Sequence, residues 1–331
     1  MTMESNEEEN ANYYWKVYFS FKNYERWYTR VIESKLNAFY TLSSEDQDCL
    51  PHFKEKCERA LKCIHKNQEF FDDMLKSTPH FVKEKKIASP TSEDFQKCVS
   101  ALKCMYRDWS EAGKCERVVY DTILNELKTI DVEKRSTTSV FVPGSGTTRL
   151  AYDIASLGFN TTANELTYHM LIPSYFVLNT MDKSYEIYPF IHDFQNRRCI
   201  EDAFLPISIP DIFPTIQNDG FKMIGGDFLE LQLQCDIVVT CFFIDTASNI
   251  IDYIRHIDKI TNKTWLTIGP LLYHHQQSIE LSWEEILFIV VQKTDFTLTE
   301  SNTIPSSYCA DPSSMVSYLY NNSYGKFTKN K

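Results

Sequence analysis

Val140–Leu166 reads VFVPGSGTTRLAYDIASLGFNTTANEL: an apolar run, two glycines one residue apart, a helical pattern, a second short run, then an acid. A run that passes through Gly144 and Gly146 into a helix is the strand–turn–helix opening of an open α/β sheet. Glycines there let backbone amides approach a ligand, because no side chain stands in the way. A glycine pair alone serves a purely structural turn about as often as a ligand. Glu165 moves the balance toward a ligand: it lies about 20 residues beyond the turn, where an acid can accept ribose hydroxyls. A dinucleotide site would place a third glycine where Arg149 stands, so that the helix can close on a pyrophosphate. The turn is therefore poor for NAD and acceptable for S-adenosylmethionine, which has no phosphates to cradle.

The runs FKMIGGDF (221–228), CDIVVTCFFID (235–245) and TWLTIGPLL (264–272) continue the strand pattern, with helices at RLAYDIASLG (149–158) and SNIIDYIRHIDKI (248–260). Strands apolar on both faces belong inside a parallel sheet, whose ligands sit at the carboxyl ends of the strands. Upstream the chain has no glycine before Gly113 and reads as helices. Phe21, Tyr24, Tyr28 and Val31 mark one apolar face, with Lys35 at its polar edge. Pro51 suits the first turn of a second helix, Thr91 or Ser92 the cap of a third, and Tyr120, Ile123, Leu127 and Ile130 line one face of a fourth. The expected organisation is a helical N-terminal region over 1–135 and a Rossmann-like α/β domain over 136–331.

At 331 residues and 43% hydrophobic content the chain can bury a sizeable core. No apolar stretch reaches the roughly 20 residues needed to span a bilayer, and MTMESNEEENAN is acidic where a presequence would be basic. Ten cysteines without a CxxC pair read as reduced thiols rather than disulfides or a metal site. The expected compartment is the cytoplasm, with the nucleus also open. A net charge of −11 repels polyanions, so neither nucleic acid nor a membrane is an expected partner.

Candidate site residues gather where the strand runs end. Asp227 follows the run in MIGGDFLEL, where it can face an adenine. Arg107 or Arg117, in RDWSEAGKCER, can reach a methionine carboxylate as a bidentate partner. The run CDIVVTCFFID ends in Asp245, a carboxylate that is costly to bury without a partner. Nucleobase methyltransferases carry an (Asn/Asp)-Pro-Pro-aromatic turn at this place. The Ile-Asp-Thr-Ala here argues against nucleobases. His274 or His275, in IGPLLYHH, falls on the same rim, where a lone histidine is more often a structural hydrogen-bonder than a catalyst.

Longer motifs carry a resemblance: YYWKVYFSFKNYE, LKCIHKNQE, RDWSEAGKCER, VPGSGTTRLAYDIASLGF, NEL followed by SYFVLN, YPFIHDFQNRR, GGDF, CFFIDTASNIIDYI and GPLLYH. In these the sequence resembles the carnosine N-methyltransferases over nearly its whole length. The resemblance implies a class I methyltransferase sheet that uses S-adenosylmethionine to methylate the imidazole of β-alanyl-histidine, giving anserine. It implies that Arg107, Gly144, Glu165, Asp227 and Phe228 hold S-adenosylmethionine, beside Gly146 of the same turn. Asp245, His274 and Tyr320 would hold the dipeptide, with Asp245 fixing the imidazole tautomer. The resemblance and the aromatic-rich first helix also raise a homodimer.

The chain departs from the family pattern at several places. Thr148 replaces the glycine before Arg149, which is expected to crowd the helix start. Cys104 replaces a glutamine three residues before Arg107. ITNKTW replaces a Pro-Gly-Gly lead. The polar NNSYGKFTKNK after Tyr320 is expected to make a poor final strand. Two other readings stand beside the first: a peptide or protein histidine methyltransferase, and a non-catalytic binding module on the same fold.

Overall fold

A computed structural model describes residues 3–83, 88–215, 220–273 and 279–329. The chain divides into two compact units: Met1–Gly113 with Ile172–Phe213 and Asp311–Ser317, and Lys114–Leu171 with Pro214–Ala310 and Tyr318–Lys331. The composition change near residue 135 is thus not where the units part. The first ends at Gly113, where a Cβ would lie 2.2 Å from the Tyr106 carbonyl oxygen, and two later segments return to it.

In the first unit, α1 (Met3–Lys22), α2 (Tyr24–Tyr40), α3 (Ser44–Asp48), α4 (Phe53–Ser77) and α5 (Ser92–Trp109) are joined by a small antiparallel pair, β3 (Tyr185–Ile187) and β4 (Ile207–Ile209). The aromatic-rich opening is two helices, because the Asn23 amide donates to the Phe19 carbonyl (2.8 Å) and the helix restarts at Tyr24. Phe21, Tyr24, Tyr28, Ile32 and Phe39 are buried; Ile32 takes the place read for Val31, which is half-buried. The second helix starts at Phe53, two residues past Pro51. Thr91 caps α5 in a reciprocal capping box with Asp94.

The second unit is built on a seven-stranded sheet of β1 (Ser139–Pro143), β2 (Asn160–Glu165), β5 (Phe221–Gly225), β6 (Cys235–Cys241), β7 (Thr261–Gly269), β8 (Phe296–Ser306) and β9 (Tyr320–Lys329). Their order is β5-β2-β1-β6-β7-β9-β8. The first five are parallel, and β9 runs antiparallel between β7 and β8. The helices of this part of the chain are α6 (Val118–Lys128), α7 (Val132–Arg135), α8 (Arg149–Ser156), α9 (Tyr168–Tyr175, which runs past the unit boundary at Leu171), α10 (Ile250–Ile260) and α11 (Trp283–Lys293). Val140 and Val142 pack with residues of α6 and α8, whereas Phe141 packs with residues of α10 and α11. This alternation is why β1 reads as unbroken apolar sequence. The expected α/β sheet is thus present.

The expectation that the polar segment after Tyr320 makes a poor strand is corrected: Tyr320–Lys329 is the full-length strand β9. Both of its edges are paired, so its backbone is satisfied whatever its side chains. Tyr324 anchors one face and Phe327 the other. Gly325 leaves the space that Trp283 fills, since a Cβ there would lie 3.0 Å from its ring. Lys326 and Lys329 reach Glu126 (2.6 Å) and Asp258 (3.1 Å) at their tips.

β1 and β6 are neighbours, with β2 on one side and β7 on the other, so the sheet has its topological switch point between them. Ligands of open α/β sheets bind in the crevice at that point, outside the carboxyl ends of the strands.

Candidate functional site

The turn after β1 contains Gly144 (φ 62°) and Gly146 (φ 55°), both in the left-handed region. Gly144 has a second reason to lack a side chain: a Cβ would lie 2.2 Å from the ring of Phe243, just beyond the end of β6. The glycine therefore lets the two loops at the switch point pack together. The Ser145 N–H donates to the Asn164 carbonyl (2.9 Å), while its buried Oγ has no hydrogen-bond partner among the described residues.

Glu165, at the end of β2, is buried. Its Oε2 accepts from the Gly146 N–H (2.9 Å), and its Oε1 accepts from the N–H groups of Leu166 (3.0 Å) and Thr167 (2.9 Å) and from the Thr167 hydroxyl (2.9 Å). Burial pushes the carboxyl pKa up, and these bonds oppose the push.

Thr148, just before α8, is held at φ 71°, a conformation that a β-branched residue rarely adopts. This explains what its departure from the family glycine costs: the position requires a left-handed backbone. Arg149 is buried, with Nε 2.9 Å from Asp153 Oδ1 one turn on.

Asp227 follows β5 and caps the short turn Phe228–Glu230, its Oδ1 accepting the Leu229 N–H (2.9 Å). The Phe228 ring is buried among Phe141, Phe243, Tyr253 and His256 (centroids 4.7–6.2 Å away), so its ring belongs to the core and its backbone is what a ligand would meet.

Asp245 lies in the turn Ile244–Thr246 beyond β6 and is 2% exposed. The buried carboxylate that the sequence said must find a partner has found one in the loop after β7: its Oδ2 accepts the Leu272 N–H at 2.9 Å. Tyr320 opens β9 opposite Ser306 and is half-buried. Because β9 is antiparallel to β7, with Gly269 opposite Ser323, Tyr320 lies at the same sheet edge as the strand ends above. His274 and its neighbour His275 lie outside the described residues.

The second unit thus brings Gly144, Gly146, Glu165, Asp227, Phe228, Asp245 and Tyr320 to one edge of one sheet. Arg107 belongs to the first unit, where Nε and Nη2 make a buried bidentate pair with Asp108 (2.6 and 2.8 Å). Arg117, the alternative, is buried in the second unit.

Sequence reasoning missed a backbone feature of this edge. Of the five non-glycine residues with positive φ among the described residues, Thr148, Phe242 (51°), Tyr273 (49°) and Cys309 (49°) follow β1, β6, β7 and β8 there. Strain of this kind gathers at ligand sites. The ring of Phe242 packs on Tyr308 at 4.6 Å. No residue type announces such a conformation; only Thr148, standing where a glycine was expected, left a trace.

Comparison with known proteins gives a consistent picture. A family model described as Carnosine N-methyltransferase matches residues 84–331. The carnosine N-methyltransferase of Mus musculus is 36% identical over 345 aligned residues, covering 96% of this chain and 86% of the relative. That of Schizosaccharomyces pombe is 32% identical and covers 96% of each chain. The Drosophila melanogaster protein described as carnosine N-methyltransferase unmet is 32% identical, covering 96% of this chain and 80% of its own. Among solved structures, a magnesium protoporphyrin IX methyltransferase from Synechocystis PCC 6803 with bound SAH overlaps at a TM-score of 0.42 and 10% identity, over 72% of this chain and 95% of that one.

Proposed function

The chain belongs to the carnosine N-methyltransferase family, and from that premise we propose that it transfers a methyl group from S-adenosylmethionine to the imidazole of carnosine, giving anserine. The family match, which takes in all of the sheet, is the observation that carries the reading.

The residues at the sheet edge fit S-adenosylmethionine. Among the described residues Glu165 Oε2 accepts one bond and keeps room for a ribose hydroxyl, whereas Oε1 is filled by three donors. The unpartnered Ser145 Oγ in the turn is a polar group that a polar ligand can satisfy. Gly144 and Gly146 keep the turn open, and Asp227 and the Phe228 backbone would take the adenine end; Arg107, which the resemblance assigns to the methionine carboxylate, belongs to the first unit and is engaged with Asp108. When bound, S-adenosylmethionine supplies a sulfonium methyl group for in-line attack.

A neutral imidazole already carries a lone pair, so the protein needs to supply tautomer and alignment rather than a strong base. Asp245 suits that task. It would accept the N–H of the ring nitrogen that does not react, leaving the other lone pair free, and would stabilise the imidazolium as positive charge develops. The Leu272 N–H fixes its Oδ2. His274 and Tyr320 would position the ring and the polar ends of the dipeptide.

Ten cysteines without a CxxC pair, Cys57, Cys63, Cys98 and Cys235 among them buried, support a reducing compartment such as the cytoplasm or nucleus. A homodimer is part of the same proposal and is checked by light scattering.

The test is methyl transfer from labelled S-adenosylmethionine to carnosine, homocarnosine, histidine and a histidine-containing peptide. We expect carnosine or homocarnosine to be the preferred acceptor; labelling of the peptide alone would move the assignment to protein histidine, and labelling of none would end it. Asp245→Asn should lower kcat by about 10²-fold or more, with S-adenosylmethionine affinity nearly unchanged by calorimetry. Full activity in that variant would remove Asp245 from the mechanism.

A further inference from the structure

Within the first unit, a cavity of about 430 Å³ is lined by Phe19, Asn23, Arg26, Trp27 and Arg30 from α1, α2 and their junction, and by Ala88, Ser89, Pro90 and Phe95. Its chemistry is one-sided. Among the described residues two guanidinium groups and no carboxylate line it, in a chain whose net charge is −11. Arg26 and Arg30 stand four residues apart on one helix, the spacing at which like charges repel, and neither has an ion-pair partner among the described residues.

Of the described carboxylates nearby, Glu25 is engaged with His65 (2.9 Å), Glu93 with Lys97 (2.8 Å) and Asp94 in the α5 cap, while Glu33, three residues past Arg30 on α2, is not among the lining residues. Two aromatic rings line it, Trp27 and Phe95, stacked face to face at 4.5 Å with 9° between planes, so that a ligand ring would extend the stack at an outer face. The half-buried Trp27 indole N–H makes no hydrogen bond among the described residues, and the Ser89 hydroxyl makes none either. The lining therefore offers donors and apolar rings, with two exposed guanidinium groups whose mutual repulsion a bound anion would offset.

We propose that this cavity is a second ligand site, for a small anion on a flat apolar body, either an aromatic phosphate monoester or an aromatic carboxylate. The guanidinium groups match both anions geometrically, and an outer face of the Trp27–Phe95 stack receives the ring.

Calorimetric titration of the full-length protein with phenyl phosphate, benzoate and inorganic phosphate tests this. Saturable binding of phenyl phosphate or benzoate, tighter than that of inorganic phosphate and weakened about tenfold or more in the Arg26→Gln/Arg30→Gln double variant, is the expected result. Which of the two aromatic anions binds tighter identifies the source chemistry. The double variant should melt no lower than the parent, because a repulsion is removed, and the Arg26→Lys/Arg30→Lys variant should keep part of the affinity. No saturable binding of either aromatic anion, or undiminished binding in the correctly folded glutamine variant, overturns the proposal.

Discussion

Thr148 carries the sharpest local conflict between residue type and backbone in the glycine turn. At an ordinary helical position alanine is better than glycine by about 1 kcal/mol. At φ 71° the order should reverse, because a left-handed L-residue costs about 1–2 kcal/mol. Thr148→Gly should therefore be more stable than Thr148→Ala by about 1 kcal/mol in urea unfolding, and the opposite order would mean that the residue is not held left-handed. At this scale the sequence was informative where chemistry is written in residue type. Glu165 and Asp245 stood out because an acid at the end of an apolar run needs a reason, and both have named partners in the structure. The positive φ of Phe242, Tyr273 and Cys309 was illegible, because long-range packing, not side-chain identity, imposes it.

Between elements, the decisive contact at the switch point is Gly144 against Phe243. Gly144→Ala should cost about 2–4 kcal/mol, combining a left-handed alanine with a displaced, well-packed ring. In a Phe243→Ala background the same change should cost only the backbone part, about 1–2 kcal/mol. A double-mutant cycle by chemical denaturation measures the difference, and strict additivity would show that the two loops are not coupled. The central strands β1 and β6 were legible because burial on both faces leaves an uninterrupted apolar run, whereas β2, with the polar sequence NTTANE, was marked by its place after the glycine turn and helix. The strand β9 was not, since pairing on both edges supports a polar sequence that needs only Tyr324 and Phe327 to anchor it.

Across the whole molecule, the two-unit division was partly hidden because Ile172–Phe213 and Asp311–Ser317 join helices far away in sequence. The motif YPFIHDFQNRR announced a family without announcing this role. Its His192 Nε2 meets the Tyr24 hydroxyl at 2.5 Å, 168 residues distant, and its ring lies 4.5 Å from that of Tyr28. Burial, with the nearby Lys103 adding to it, pushes the imidazole pKa down to about 3. The folded state thus keeps His192 neutral while the unfolded chain takes up a proton below about pH 6.5. This contribution to stability is full above that pH and is lost as the pH falls toward 3. Between pH 7 and pH 5 the loss should be at most about 2 kcal/mol, since part of the residue reaches solvent. Urea midpoints at the two pH values measure it. His192→Gln should flatten the slope relative to the parent, and an unchanged slope would assign the acid sensitivity to other groups.

The place of β9 also sets an order of events during synthesis. The strand that separates β7 from β8 leaves the ribosome after both of them, so β7 waits with an open hydrogen-bonding edge until residues 320–329 arrive. Until then β8 has no neighbour on which to form. A ribosome stalled before residue 320 would hold a nascent chain whose parallel strands can pair but whose sheet is unfinished, with β7 exposed as a template for another chain.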